Sequence, residues 1–345
     1  MNFNLSQRDS EVLEMIITDY IASARPVASN AISKHYIPRL SPATIRNVMS
    51  ELTTLGLISQ PHTSAGRIPT NQGLRYFVDS MLEFGNLCSE DERMIRERFN
   101  EPQGGIKSLL TQASQALATF TKHVGLVSAP VWNDVVFKRI EFIRLSKSRL
   151  LGIFVGQDGR VQNRIIEVSE DFSLREVDKI NSYCNNAFHN LTLDQAKTKV
   201  RRELDEHKID YDHLIAKAFT FADQIFNKLP LGELMVDGET HLLDASRMNE
   251  VEKIKKLMQF LDEKESVLKL LDRCKEAEGV KIFIGAESGD EALTESSIVT
   301  APYSQGGKIV GTIGVIGPTY MNYSKTISVV DFTAKLLSDL LDAKE

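Results

Sequence analysis

Thr44, Arg46 and Asn47 stand close together near the start of one apolar-periodic segment. A threonine methyl can touch the methyl of thymine, an arginine can grip a guanine edge or a phosphate, and an asparagine can pair with an adenine edge. Such chemistry needs one rigid element that presents all three side chains to the same groove. Ser41 as N-cap, Pro42 at the first helical position and Gly56 just past the end bracket residues 42–55 as a helix. Ile45, Val48, Met49, Leu52 and Leu55 recur at helical spacing and are expected to face a core, which leaves Ala43, Thr44, Arg46, Asn47, Ser50 and Glu51 outside. The positive end of the helix dipole lies beside them and suits phosphate. Taken alone, such a face is a weak signal, since most exposed polar helix faces contact only water.

The neighbouring elements give that helix a setting. Ser6 and Asp9 make a capping-box-like start, after which Val12, Leu13, Ile16, Ile17 and Tyr20 keep helical spacing to about Ser23. Arg25-Pro26-Val27-Ala28 breaks the pattern, and Ser29 is placed to cap a second helix over 30–36 with Ala31 and Ile32 inward. Beyond the third helix, residues 57–60 read as a strand, 61–66 as a turn-rich tip and 67–69 as the return, with Thr70 capping another helix. Three helices and a hairpin make a winged helix-turn-helix, in which the third helix enters the major groove and the hairpin tip lies along the neighbouring backbone or minor groove. The candidate DNA-contacting residues are therefore Ser41, Thr44, Arg46 and Asn47 on the helix and His62, Thr63, Ser64 and Arg67 on the wing. His62 fits a surface wing residue with no specific partner just as well.

The 345 residues carry a net charge of -6, which runs against phosphate binding when averaged. Residues 1–78, however, hold seven basic side chains against five acidic ones and are +2, leaving -8 for the remainder. A basic head on an acidic body fits a DNA-binding module joined to a regulatory or assembly region. With 42% hydrophobic and 26% charged residues the chain is expected to fold, as two or three domains. Cys88, Cys184 and Cys274 are far apart and form no C-x-x-C pair, so neither a disulfide framework nor a zinc ribbon is written here. A polar amino terminus and the lack of any long apolar run point to a cytoplasmic protein without a membrane span.

Helical patterns fill 70–122 and read as a stalk between head and body. Strand patterns follow at 135–145, 150–155 and 161–168, and return at 280–284, 297–303 and 308–316. Since three strands cannot bury both faces alone, one six-stranded sheet is the economical expectation, with a small strand at 234–243, a long helix over 249–274 and a carboxy-terminal helix beside it. The polar helices between 173 and 235 are then an insertion. Their apolar positions (Leu204, Leu214, Ile215, Phe219, Phe221, Ile225 and Phe226) need a partner, supplied either by self-association or by packing back on the sheet.

Catalytic signatures fail on inspection. Ser288 in Gly285-Ala286-Glu287-Ser288-Gly289 is one place too late for a nucleophile elbow. Gly307-Lys308 is followed by Ile309 rather than the hydroxyl residue of a phosphate loop, and Gly311, Gly314 and Gly317 read as sheet-packing or bulge positions. No enzyme activity, metal or cofactor is expected.

Residues 41–52, Ser-Pro-Ala-Thr-Ile-Arg-Asn-Val-Met-Ser-Glu-Leu, with residues 60–70, Gln-Pro-His-Thr-Ser-Ala-Gly-Arg-Ile-Pro-Thr, closely resemble the heat-inducible transcription repressor family HrcA. Tyr303, Gly306-Gly307, residues 311–319 and Met321-Asn322-Tyr323 are similar to that family's carboxy-terminal signature, although the family usually carries Arg where this chain has Tyr320. The resemblance implies an α+β protein with an N-terminal winged helix-turn-helix at 1–82, a helical linker and start of a GAF-like domain at 83–134, the GAF-like mixed domain at 135–172 and 236–345, and an inserted, mainly helical dimerisation domain at 173–235. It also implies a homodimer on double-stranded DNA at an inverted-repeat (CIRCE) operator ahead of chaperone operons. The GroEL chaperonin would hold it active and heat stress would release it. The alternative is a transcription regulator controlled by a small molecule in the GAF-like domain.

Overall fold

A computed structural model describes residues 3, 5–35, 40–62, 65–82, 85, 87–99, 105–130, 135–157, 159, 161–206, 213–226, 233–244, 251–274 and 279–343. Two compact units emerge, one made of 1–129 with 234–345 and the other of 130–233.

The first unit begins with α1 (Gln7–Ser23), α2 (Ser29–His35), α3 (Pro42–Thr54), the two short strands β1 (Ile58–Ser59) and β2 (Ile68–Pro69), and α4 (Asn71–Ser80). Helix α1 starts with a full capping box between Ser6 and Asp9. Val12, Leu13, Ile16 and Ile17 of α1 are buried in one cluster with Ile45, Val48, Met49 and Leu52 of α3 and Leu74, Phe77 and Val78 of α4. Leu55 departs from the expected core face: it is the C-cap of α3 and 43% exposed, because the helix ends one residue before the periodic position would turn inward.

Helices α5 (Ser89–Arg98) and α6 (Ile106–Thr121) lead into β3 (Val124–Ser128). They do not form the expected stalk. Leu109, Leu110, Ala113, Ala116 and Leu117 of α6 are buried in the same cluster as sheet residues Val127, Ile313 and Val315, since a stripe this apolar is worth more against a sheet than in solvent.

The second unit holds β4 (Phe137–Ser146), β5 (Arg149–Gly156), β6 (Val161–Glu167), α7 (Leu174–Phe188), α8 (Leu193–Glu206) and α9 (His213–Phe226). Its strands form an antiparallel three-stranded sheet in the order β4-β5-β6. The single six-stranded sheet expected from sequence is thus not formed, and 135–172 lies with the following helices in this unit. The physical reason is visible in α7 and α9, which cover one face of the three strands and give them a core of their own. Phe219 and Phe221 of α9 pack there against Tyr183, Phe188, Phe142 and Phe172. The side chains of Leu204, Leu214, Ile215, Ile225 and Phe226 lie outside the described residues.

The chain then returns to the first unit with β7 (Leu234–Asp237), α10 (His241–Asp244), α11 (Val251–Asp262), α12 (Lys264–Asp272), β8 (Lys281–Ile284), two 3-10 turns (Gly285–Ser288 and Glu291–Leu293), β9 (Ser296–Gln305), β10 (Lys308–Pro318) and α13 (Tyr323–Asp342). The long helix expected over 249–274 is two helices separated at Glu263. Strand β3, hidden behind α6 in the sequence reading, supplies a central member of an antiparallel five-stranded sheet ordered β7-β3-β10-β9-β8. One face carries α6 and α13, with Tyr303, Ile313, Val315, Val330 and Leu337 buried between, and the other carries α11 and α12 on Leu126, Ile298 and Ile316. Two of the β10 glycines make room for rings, Gly311 for Tyr303 and Gly317 for His123. Ser288 is buried in its 3-10 turn, where its hydroxyl donates to the Gly285 carbonyl at 3.1 Å.

Burial pushes the His123 ring down to about 4, with the neighbouring His241 adding to the effect. The unfolded ring binds a proton near pH 6.5 and the folded one resists it, so this group's stabilisation is complete above that value and declines as the pH falls toward 4. Urea unfolding of the full chain between pH 7 and 4.5 is expected to show a loss of about 2–3 kcal/mol from this source. His123→Gln is expected to flatten that part of the profile.

Candidate nucleic-acid interface

The recognition segment is held in place by short local bonds. The Ser33 hydroxyl in α2 donates to the Leu40 carbonyl at 2.8 Å, fixing the chain just before α3. Ser41 caps α3 by accepting from the Thr44 backbone N–H at 3.1 Å, and the two hydroxyls lie 2.9 Å apart. Ser41 and Thr44 are therefore occupied with each other, while each keeps a hydroxyl at the surface end of the helix. Arg46 and Asn47 follow on the outer face, both exposed, with Ser50 and Glu51 one turn further on. The burial of Ile45, Val48, Met49 and Leu52 on the opposite side is what turns these residues outward.

The wing is built by two pairs, Ile58 with Pro69 and Ser59 with Ile68. A third strand position joins them: Val27 and Arg67 exchange both backbone hydrogen bonds at 2.8 Å. Gly66 is required at this point, because a Cβ there would stand 2.4 Å from the Val27 carbonyl oxygen. Sequence reasoning took residues 25–28 only as a helix break. Val27 is fully buried, but a strand of a single paired residue has no periodicity to betray it. At the tip, Gln60 Nε2 donates to the Ala65 carbonyl at 3.0 Å and the Ala65 N–H donates to the His62 carbonyl at 2.9 Å. His62 is exposed, whereas Thr63 and Ser64 lie outside the described residues.

Arg67 leaves the hairpin with its Nε buried and without an acceptor among the described residues. A desolvated cationic donor of this kind favours an incoming anion. The structure thus brings Ser41, Thr44, Arg46 and Asn47 together on one helix end and sets His62 and Arg67 on the adjoining hairpin. Thr70 ties the two parts: its hydroxyl bonds the Gly56 carbonyl at 2.6 Å and caps α4 through the Gly73 N–H at 3.1 Å. Among the described residues no group of three His, Cys, Asp or Glu side chains is placed to hold a metal ion, and no helix is long and apolar enough to cross a membrane.

Comparison with known proteins agrees with a winged helix-turn-helix at residues 4–79. Residues 4–79 match the model of the winged helix-turn-helix transcription repressor, HrcA DNA-binding, and residues 107–327 match that of the HrcA protein C terminal domain. The heat-inducible transcription repressor HrcA of Syntrophobacter fumaroxidans is 38% identical over 341 residues, covering 98% of each chain. That of Geobacter sulfurreducens is also 38% identical over 341 residues, covering 99% of each. A solved structure of a hypothetical protein shares the fold with a TM-score of 0.66 at 24% identity, covering 99% of this chain and 100% of that one. The chain belongs to the HrcA family of heat-inducible transcription repressors, a family of DNA-binding regulators and not of enzymes.

Proposed function

We propose that this chain is a cytoplasmic, dimeric heat-shock repressor that binds the inverted-repeat CIRCE operator upstream of groE- and dnaK-type chaperone operons. In this reading the GroEL chaperonin keeps it active and heat stress releases it. The observation that carries the DNA-binding part is the pairing of an outward Arg46 and Asn47 on α3 with a wing whose Arg67 holds a buried donor that meets no acceptor among the described residues. Thr44, Arg46 and Asn47 read base edges, Ser41 and the wing residues His62, Thr63, Ser64 and Arg67 steady the protein on the backbone, and protein symmetry matches operator symmetry.

The dimer is supported by the second unit, which acts here as the inserted dimerisation domain of a GAF-like body. One face of its sheet is covered by α7 and α9, and the other is open, with an apolar strip bordered by Arg139, Glu141, Asn163 and Glu167. Ile143, Leu151 and Ile165 stand side by side across the three strands on that open face, as do Val155 and Val161. Ile143 is 41%, Ile165 56% and Val161 60% exposed. An exposed apolar patch with a polar border of this kind marks an interface, and two copies can stack it as a sandwich.

A ligand-controlled regulator is the second reading. It is favoured by a cleft of about 270 Å³ lined by Tyr20 of α1 together with Ile254, Leu257, Ser296 and Tyr320. An operator affinity that answers to one small molecule and ignores chaperonin would establish it.

A gel-shift titration with the inverted repeat, run with and without chaperonin at several salt concentrations, tests the leading reading; failure to prefer the repeat over random DNA defeats it. Arg46→Ala is expected to cost ~1–3 kcal/mol of operator binding and to relax preference at one base pair. An equal loss on random DNA would instead assign Arg46 to a phosphate. Ile143→Lys with Ile165→Lys is expected to yield a folded monomer in sedimentation and to lower operator affinity by about tenfold or more. A dimer that persists would place the interface elsewhere.

A further inference from the structure

Helix α4 joins the DNA-binding head to the edge of the five-stranded sheet, and the junction is directional. Arg75, in the middle of α4, donates from Nε to Glu287 Oε1 at 2.9 Å and from Nη2 to the other oxygen of the same carboxylate. Nη2 also reaches the Ile282 carbonyl at 2.7 Å, an outward-facing group of the edge strand β8. Glu287 in turn accepts from the Ile284 N–H at 2.8 Å, so the pair occupies two backbone groups of that edge. The third guanidinium nitrogen, Nη1, bonds Asp79 within α4 at 3.1 Å. The first residue of α4, Asn71, is seated on the same turn, where Gly285 has φ +57° and a Cβ would stand 2.1 Å from Asn71 Nδ2. A second support lies on α1, whose Tyr20 ring meets the Tyr320 ring edge to face at 6.0 Å.

These bonds form a continuous line to the recognition helix. The end of α3 is held by Thr70 through the Gly56 carbonyl, Thr70 caps α4, and α4 is locked on the sheet edge by Arg75. A bidentate guanidinium–carboxylate pair that also grips a strand carbonyl fixes an angle as well as a distance. We infer that Arg75 and Glu287 are positioning residues that set the direction in which α3 faces from the sheet, and thereby the spacing between half-sites that a dimer accepts. The inference rests on the reading of a dimer on an inverted repeat. Neither residue belongs to the candidate DNA-contacting set.

The test uses the full chain and four duplexes: the inverted repeat, the same repeat with two base pairs added or removed between its halves, and a single half-site. Two base pairs rotate one half by roughly 70° about the duplex axis. Wild type is expected to prefer the native spacing by about tenfold or more, a difference of about 1.4 kcal/mol. In Glu287→Gln and in Arg75→Gln that preference is expected to shrink to about threefold or less, with half-site affinity within about twofold of wild type. Asp79→Asn, which touches only the bond internal to α4, is expected to keep the wild-type preference. A Glu287→Gln protein that retains the full spacing preference overturns the inference, and so does one whose half-site affinity falls in parallel. Should Arg75→Gln fail to fold, Glu287→Gln alone decides, since its side chain is 38% exposed and its removal leaves the buried cluster untouched. A wild-type protein that binds the repeat no better than one half-site removes the dimer reading itself, and this inference falls with it.

Discussion

The hydrophobic core of the head does not stop at the winged helix. Val12, Ile16, Ile45 and Leu52 belong to the same buried cluster as Ile284, Val299, Tyr303 and Val330, which are residues of the sheet and of α13. Burying a large aliphatic side chain contributes about 1.5–3 kcal/mol. A half-exposed ion pair contributes at most about 1 kcal/mol. Apolar packing therefore supplies the strength of the head–sheet junction, whereas the Arg75–Glu287 pair adds little strength and much direction. That division matters for a protein that reads a rigid duplex. The hydrophobic effect is non-directional, whereas a bidentate guanidinium–carboxylate pair has a preferred geometry and adds an orientational penalty of its own. The same core explains why Tyr323 is buried with its hydroxyl shared between Ser297 and the Thr319 carbonyl, each bond at 2.7 Å: a phenol enclosed there needs both partners.

The parts legible in the sequence are those governed by rules within a few residues. Ser41, Pro42 and the spacing of Ile45, Val48, Met49 and Leu52 foretell α3 and its outer face because caps and helical period are local properties. The hairpin is readable for the same reason. Val27 is not, since its partner Arg67 is 40 residues away and one paired residue has no pattern. Arg75 counts in sequence only as one more positive charge; its role depends on Glu287, 212 residues distant. Leu55 misleads in the opposite sense, because a periodic position says nothing about where the helix ends.

The misjudged sheet has a physical source as well. Strands β4, β5 and β6 carry apolar residues on both faces, as strands buried on two sides do. Phe142 and Phe154 point to α7 and α9, while Ile143, Ile153 and Val155 point the other way. Sequence cannot separate a strand covered by a second layer of its own chain from one that waits for a second copy. Either arrangement satisfies the same pattern, and only the pairing order, which is non-local, distinguishes them.

The way that sheet ends also bears on how two copies can meet. An antiparallel sheet can grow by adding a strand at an edge or by stacking a face. In the middle of the β4 edge the first route is blocked. Asn185 of α7 accepts from the Ile140 N–H at 3.0 Å and donates to the Ile140 carbonyl at 2.6 Å. Asn181, one turn earlier, does the same for Phe142 at 2.6 and 2.9 Å. The two carboxamides thus replace the neighbouring strand, group for group, at Ile140 and Phe142, in the middle of that edge. The opposite edge, β6, exposes Asn163, Arg164 and Glu167, and an arginine and a glutamate on an edge disfavour strand addition. What remains uncovered is the open face with its apolar strip of Ile143, Leu151, Ile153, Val155, Val161 and Ile165. Face-to-face stacking about a two-fold axis is self-complementary and closes on itself, so the dimer proposed for this repressor meets its need for symmetry without exposing an edge that could propagate further.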